Sequence, residues 1–213
     1  MEDFRGFQND DFKTFEIDGL AERMAAIQQR IQPKFKTIGP QLVTYLSEKL
    51  NVEMHLHIAR HARRTVNPPN DTWLAIANNK RGYKKHPHFQ VGLWDDRLFV
   101  WLAFIYELPN KTTIAKAFLN QEEKLKEIVP ANYLISMDHM KKDAALIGEI
   151  DVTKSLERFR DVKKAELLIG KFFDKNDPII QNGDEFIKEV KQIYTTLLPI
   201  YKMAYESIEH TFV

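Results

Sequence analysis

Between residues 53 and 106 the apolar side chains recur at every second position, and on either side of that window they recur every third or fourth. A period of two belongs to an extended strand and a period near 3.6 to a helix, so the chain must build a sheet from its middle and helices from its flanks. In residues 53–58, Met54, Leu56 and Ile58 fall on one face and His55 and His57 on the other. Residues 72–78 set Trp73, Ala75 and Ala77 against Leu74 and Ile76, and residues 88–94 set Phe89, Val91 and Leu93 against Gln90 and Gly92. Residues 97–106 are apolar on both faces, as a central strand is, and Asp95-Asp96 before them has the length of a tight hairpin turn. Strands joined by short connections pair antiparallel.

The flanks read as helices. Asp18 is placed to cap a helix carrying Leu20, Met24, Ile27 and Ile31, which Pro33 ends or hands on to the next turn. A second helix is expected over 35–50, with an interruption at Gly39-Pro40. Further on, the pattern predicts a helix over 110–128 between Pro109 and Pro130, a strand over 133–138, a short helix over 153–160 and a strand over 165–173. From Gly183, Phe186, Val190, Ile193, Leu197, Tyr201, Ala204 and Ile208 form one core-facing stripe, with a kink expected at Pro199. No repeat and no Gly/Ser/Pro-rich linker divides the 213 residues. The expectation is a single α+β domain over 1–213, an antiparallel sheet packed with helices.

Several chemistries have no residues to support them. There is no cysteine, which removes disulfides, thiolate metal sites and a cysteine nucleophile. The eight glycines are too dispersed for a dinucleotide or phosphate-loop fingerprint, and none of the four serines lies in a Gly-x-Ser-x-Gly elbow. The start, Met1-Glu2-Asp3-Phe4-Arg5, lacks the basic and apolar regions of a signal peptide. The longest apolar run, 98–106, is nine residues, against about 20 for a membrane helix. A cytosolic protein without membrane contact is expected.

The net charge of +1 conceals a strong asymmetry. Arg60, Arg63, Arg64, Lys80, Arg81, Lys84 and Lys85 lie within 26 positions, opposed only by Asp71, so that this segment is +6 and the rest of the chain −5. Five of the seven histidines, His55, His57, His61, His86 and His88, lie in or beside it. Arginine presents a planar donor fork suited to phosphate or carboxylate, and Trp73 or Tyr83 can stack on a base. Asn67, Asn70 and Asp71 can shape the first loop by bonding nearby backbone, and Gly82 lets the second turn. The two cationic loops flank one strand, so a simple meander would set them roughly 20 Å apart, as a stripe or two sites. A small-ligand pocket requires one loop to fold back over the sheet. His55, His57 and His61 could in principle ligate zinc or iron, but the surrounding cations repel a metal, and neither a metal nor another cofactor is expected. Asp138-His139 is a pair in sequence only and does not by itself point to catalysis.

At these same residues the chain resembles a known family. The run His61-Ala-Arg-Arg-Thr-Val-Asn-Pro-Pro-Asn-Asp-Thr-Trp73, with residues 79–85 and 87–94, is similar to the YktB-like family of uncharacterised bacterial proteins, as are residues 11–24 and 162–168. The resemblance implies a cytosolic bacterial protein with a compact α+β fold, and no activity or catalytic residues.

Three functions follow from the residues. The first is a binding protein for an anionic ligand, nucleic acid or nucleotide, with Arg60, Arg63, Arg64, Lys80, Arg81 and Lys84 on phosphates, Trp73 or Tyr83 stacking, and Asn67, Asn70 and Asp71 shaping the loop. The second is an enzyme for a phosphorylated small molecule, with His57 or His61 as acid/base and Asp71 as orienting partner. The third is an interaction module whose basic face docks an acidic protein partner.

Overall fold

The computed structural model describes residues 4–209. Seven strands form one sheet: β1 (His55–Ile58), β2 (Thr72–Ala77), β3 (His88–Leu93), β4 (Arg97–Phe104), β5 (Leu134–Ser136), β6 (Ala145–Leu146) and β7 (Leu167–Asp174). Their order is β1-β2-β3-β4-β7-β5-β6, and every neighbouring pair is antiparallel. The first four form the expected meander, turned at Asp95-Asp96, where the Trp94 N–H donates to the Arg97 carbonyl at 2.8 Å. β4, apolar on both faces, lies at the centre. The later strands do not continue that meander. β7 inserts between β4 and β5, and the pairing Ser136↔Leu168 brings the end of β5 to the start of β7.

The helices are α1 (Asn9–Phe12), α2 (Leu20–Ala26), α3 (Gln32–Leu50), α4 (Lys111–Asn120), α5 (Glu122–Ile128), α6 (Val152–Asp161), α7 (Pro178–Gln181) and α8 (Gly183–Glu209). They cover one face of the sheet. There Leu74, Ile76, Phe89, Val91, Leu93, Leu98, Val100, Leu102, Phe104, Leu167 and Ile169 join a core completed by the α8 residues Phe186, Val190, Ile193, Leu197, Tyr201 and Ala204. Each large apolar side chain so buried contributes about 1.5–3 kcal/mol, which explains why the α8 stripe dominates the C-terminal third.

Helix boundaries differ from the pattern-based expectation in three places. Gly19, at φ +87°, occupies the N-cap of α2 in place of Asp18, because a left-handed entry is open to glycine. Pro33 does not end α2 and takes the other place expected of it, at the start of the next turn. A π turn over Ile27–Ile31 joins α2 to α3, with the Gln32 N–H reaching the Ile27 carbonyl, and Pro33 sits in the first turn of α3, where its missing N–H costs little. Pro40 lies inside α3 without interrupting it, and Gly39 beside it serves packing: a Cβ there would come within 2.5 Å of Leu56 Cδ2 on β1. The helix expected over 110–128 is two, broken at Gln121 (φ −123°).

Among the described residues, the other face of the sheet carries no helix. A second cluster of Trp94, Phe99, Trp101, Ala103, Ile105 and Leu168 lies there, with Trp73 and Phe172 against it. Beyond it, on β1, β2 and β3, this face presents His57, Trp73, His88 and Gln90, and loops 59–71, 78–87 and 137–144 meet above them.

Candidate functional site

Each basic loop is held in place by residues outside it. The buried guanidinium of Arg23 on α2 donates to the carbonyls of Ile17 (2.8 Å) and Pro69 (3.0 Å), and lies 3.5 Å from Asn70 Oδ1. Gln32 on α3 donates to the Ala59 carbonyl at 3.2 Å. Both ends of loop 59–71 are thus fastened to the helical layer. His61, at φ +49°, sits in the left-handed region and its carbonyl accepts the Arg64 N–H at 3.0 Å, so the chain turns tightly and sets Arg63 and Arg64 along the same rim. Its Nε2 lies 3.1 Å from Thr72 Oγ1.

Loop 78–87 leaves the opposite end of β2 and folds back. The Asn79 carboxamide accepts the backbone N–H groups of Arg81 (2.9 Å) and Gly82 (3.3 Å), which tightens the turn. Tyr83 then reaches over the sheet to Trp73, whose Nε1–H donates to its hydroxyl at 3.0 Å. The Tyr83 ring also packs on His57 and His88, with centroids 5.5 and 4.8 Å away. Burial pushes the Tyr83 hydroxyl up to about 12. Trp73 and Tyr83 therefore bring together loops that a simple meander keeps a strand length apart.

The result is one groove made of two adjoining hollows. The inner, of about 340 Å³, is lined by Arg60, His61, Arg63, Arg64, Trp73, Tyr83, Lys84, His139 and Met140. The outer, of about 780 Å³, takes in His57, Lys80, Arg81, Lys85, His86 and Glu107, and shares Arg60, Tyr83 and Lys84 with the first. Of the seven cations, only Lys84 forms an ion pair among the described residues, with Glu107 at 3.1 Å. Asn67 is exposed and lines neither hollow, and Asn70 serves as part of the Arg23 anchorage.

The histidines fall into distinct roles. His88 is wholly buried: Nδ1 donates to the His86 carbonyl and Nε2 accepts from the Gln90 amide, both at 2.8 Å. Since a carbonyl only accepts, this network fixes the neutral tautomer, and burial holds the ring pKa down to about 3. His57 donates from Nε2 to the Asn79 carbonyl at 2.8 Å, and burial lowers its pKa. Burial and the Arg64 charge push His61 down to about 4. The expected His61–Asp71 pair does not form, because the His61 ring turns to Thr72 instead. Asp71 is 2 % exposed and its Oδ2 has no partner. Burial raises its carboxyl to about 6, against the pull of the His139 and Arg64 charges.

Glu166 and its pairing with His139 escape sequence reasoning, which meets His139 only beside Asp138. Glu166, 1 % exposed, precedes β7, and His139 follows β5 in loop 137–144. Its carboxylate accepts the backbone N–H groups of His139 (2.7 Å) and Tyr106 (3.3 Å), and lies 2.7 and 2.9 Å from His139 Nδ1. Burial opposes charge on His139, but the Glu166 hydrogen bond and the Glu166 and Asp71 charges outweigh it and raise its pKa. Asp138, His139 and Glu166 place three potential metal-ligand atoms within 4.8 Å of one another. The short Nδ1–carboxylate contact is a hydrogen bond, so the arrangement is an oriented histidine. No local pattern reveals it: the two residues are 27 apart and meet only because β7 pairs with the non-consecutive strand β5.

The fold and groove define an α+β protein whose antiparallel sheet carries a cationic hollow on the face away from its helices. The chain belongs to the family described as Domain of unknown function (DUF1054), whose model matches residues 7–201. It is 62 % identical over 203 residues to a UPF0637 protein of Oceanobacillus iheyensis, covering 95 % of this chain and 98 % of that one. A UPF0637 protein of Shouchella clausii is 60 % identical over 199 residues (93 % and 94 %), and one of Listeria innocua 54 % identical over 203 residues (94 % and 98 %). The resemblance drawn from residues 61–94 thus holds, for an uncharacterised bacterial family. No helix among the described residues is long and apolar enough to cross a membrane.

Proposed function

We propose that the protein binds a phosphorylated small molecule of nucleotide size in the groove between loops 59–71 and 78–87. The observation that carries this reading is that Arg60, Arg63, Arg64, Lys80, Arg81 and Lys85 crowd one groove with no ion pair among the described residues. Loop cations that merely balanced the acidic remainder of the chain would be paired with it. Like charges held together repel, and a phosphate between them relieves the repulsion. The hollows have volumes typical of small-ligand sites, about 300–1,000 Å³, and their floor offers Trp73 and Tyr83 as apolar surface for a ring. A concave site with cations on its rim suits a compact anion better than an extended strand, which favours a nucleotide or sugar phosphate over nucleic acid.

The test is thermal unfolding and calorimetry of the full chain with inorganic phosphate, a sugar phosphate and mononucleotides. A ligand at 100 times its Kd stabilises by about 2.7 kcal/mol, which raises the midpoint by several degrees. The double variant Arg63→Ala, Arg64→Ala should keep its ligand-free midpoint and lose that rise. Absence of a rise with every phosphorylated compound overturns the proposal.

A further inference from the structure

We propose that His139 is the proton-transferring residue of a phosphomonoester-hydrolysing site in the inner hollow, with Glu166 as its positioning residue. The inference rests on the phosphate-binding reading above and adds to it a reaction.

The geometry is that of an oriented acid/base histidine. His139 lines the hollow together with Arg63, Arg64 and Lys84. Its Nδ1 faces the buried Glu166 carboxylate at 2.7 and 2.9 Å, so Nδ1 carries a proton and the ring cannot flip without losing that bond. Nε2 has no protein partner among the described residues and is the nitrogen left for a ligand. A purely structural link would be satisfied by the backbone: the His139 N–H already ties its loop to Glu166 at 2.7 Å. The ring contact adds something the loop does not need, namely a fixed tautomer and a carboxylate that stabilises the imidazolium. Nearby, Asp71 is buried with an unpartnered Oδ2, and its charge acts on His139, Arg64 and Tyr83, all of which line the same hollow. An ionised carboxylate only accepts, so Asp71, which lines neither hollow, bears on His139 through its charge and not as a phosphate contact.

In the step proposed, Arg63, Arg64 and Lys84 hold the phosphoryl oxygens and a water oxygen bonds to phosphorus as the phosphorus–oxygen bond to the leaving group breaks. The electron pair of that bond goes to the leaving oxygen, which takes the Nε2 proton of His139. The attacking water gives up a proton to Nε2, which restores the imidazolium. The balance is a phosphomonoester and water to an alcohol and inorganic phosphate, with nothing oxidised or reduced. A positioned general acid contributes about 10²–10⁴-fold.

The experiment measures release of inorganic phosphate from phenyl phosphate, p-nitrophenyl phosphate and adenosine monophosphate by the full chain, alongside calorimetry with inorganic phosphate. Wild type should release phosphate from at least one. His139→Ala should lose about 10²–10⁴-fold on phenyl phosphate and less on p-nitrophenyl phosphate, whose leaving group needs no proton. Glu166→Gln can keep its oxygen toward the His139 N–H and gives up the acceptor of the longer Tyr106 contact. It should lower kcat with little change in KM and move the alkaline limb of the pH profile to lower pH, which a scaffold residue would not do. Melting midpoints of both variants near that of wild type would separate these effects from unfolding. Phosphate bound but never released, or release unchanged in His139→Ala, overturns the catalytic proposal and leaves the binding reading standing. Phosphate neither bound nor released overturns both.

Discussion

Asp71 is the residue at which the groove stores an unfavourable charge. Its carboxyl is raised from 3.8 to about 6 chiefly by burial, and Oδ2 finds no donor. The sign follows from linkage: between pH 4 and 6 the folded protein binds a proton that the unfolded chain releases, so this group favours the unfolded state increasingly as pH rises through that window. Above pH 6 the full cost, on the order of 2–3 kcal/mol, is present; below pH 4 it is absent. Asp71→Asn should therefore stabilise the protein at pH 8 by up to about 2–3 kcal/mol and do little at pH 4. Urea denaturation of both chains at the two pH values checks this. An equal effect at both would mean that the carboxyl charge is not the cause. Gain of stability with loss of phosphate binding would mark Asp71 as held in place for the ligand's sake.

At the scale of elements, the groove depends on the helical layer. Arg23 spans from α2 to loop 59–71, and replacing it with Met would strand the Ile17 and Pro69 carbonyls. The loss should be about 2–3 kcal/mol, with the loop affected more than the core. Limited trypsin digestion should then cut after Arg60, Arg63 and Arg64 faster in Arg23→Met than in wild type; equal rates would show that Arg23 does not hold the loop. The strands of the meander were legible in the sequence because period two survives burial on one face, and the α8 stripe because seven apolar residues share one side. The joining of α2 to α3 was not. A proline reads as a break, whereas the π turn before Pro33 and the packing of Gly39 on Leu56 carry the helix through. Likewise the cationic loops were legible as composition, but their meeting depends on Tyr83 reaching Trp73. The His139–Glu166 pair depends on β7 inserting beside β5, a pairing that no local pattern records.

At the scale of the molecule, a chain of net charge +1 keeps a +6 segment apart from a −5 remainder. The sheet enforces that separation, since the cationic loops gather on the face without helices. Two arrangements could exploit it, and they differ in how affinity depends on ligand length. An open cationic stripe binds more tightly as a polyanion lengthens, because each added phosphate meets another cation. A groove closed by Trp73, Tyr83 and the 137–144 loop meets one or two phosphates and gains nothing from more. Kd values for a mononucleotide and for oligonucleotides of increasing length should therefore agree within a few-fold. Both should weaken as salt rises from 0.1 to 1 M, where the screening length falls from about 10 to about 3 Å. Affinity that climbs with each added nucleotide would mean that the groove is the middle of a longer track. Affinity indifferent to salt would mean that the unpaired arginines and lysines are not what holds the ligand.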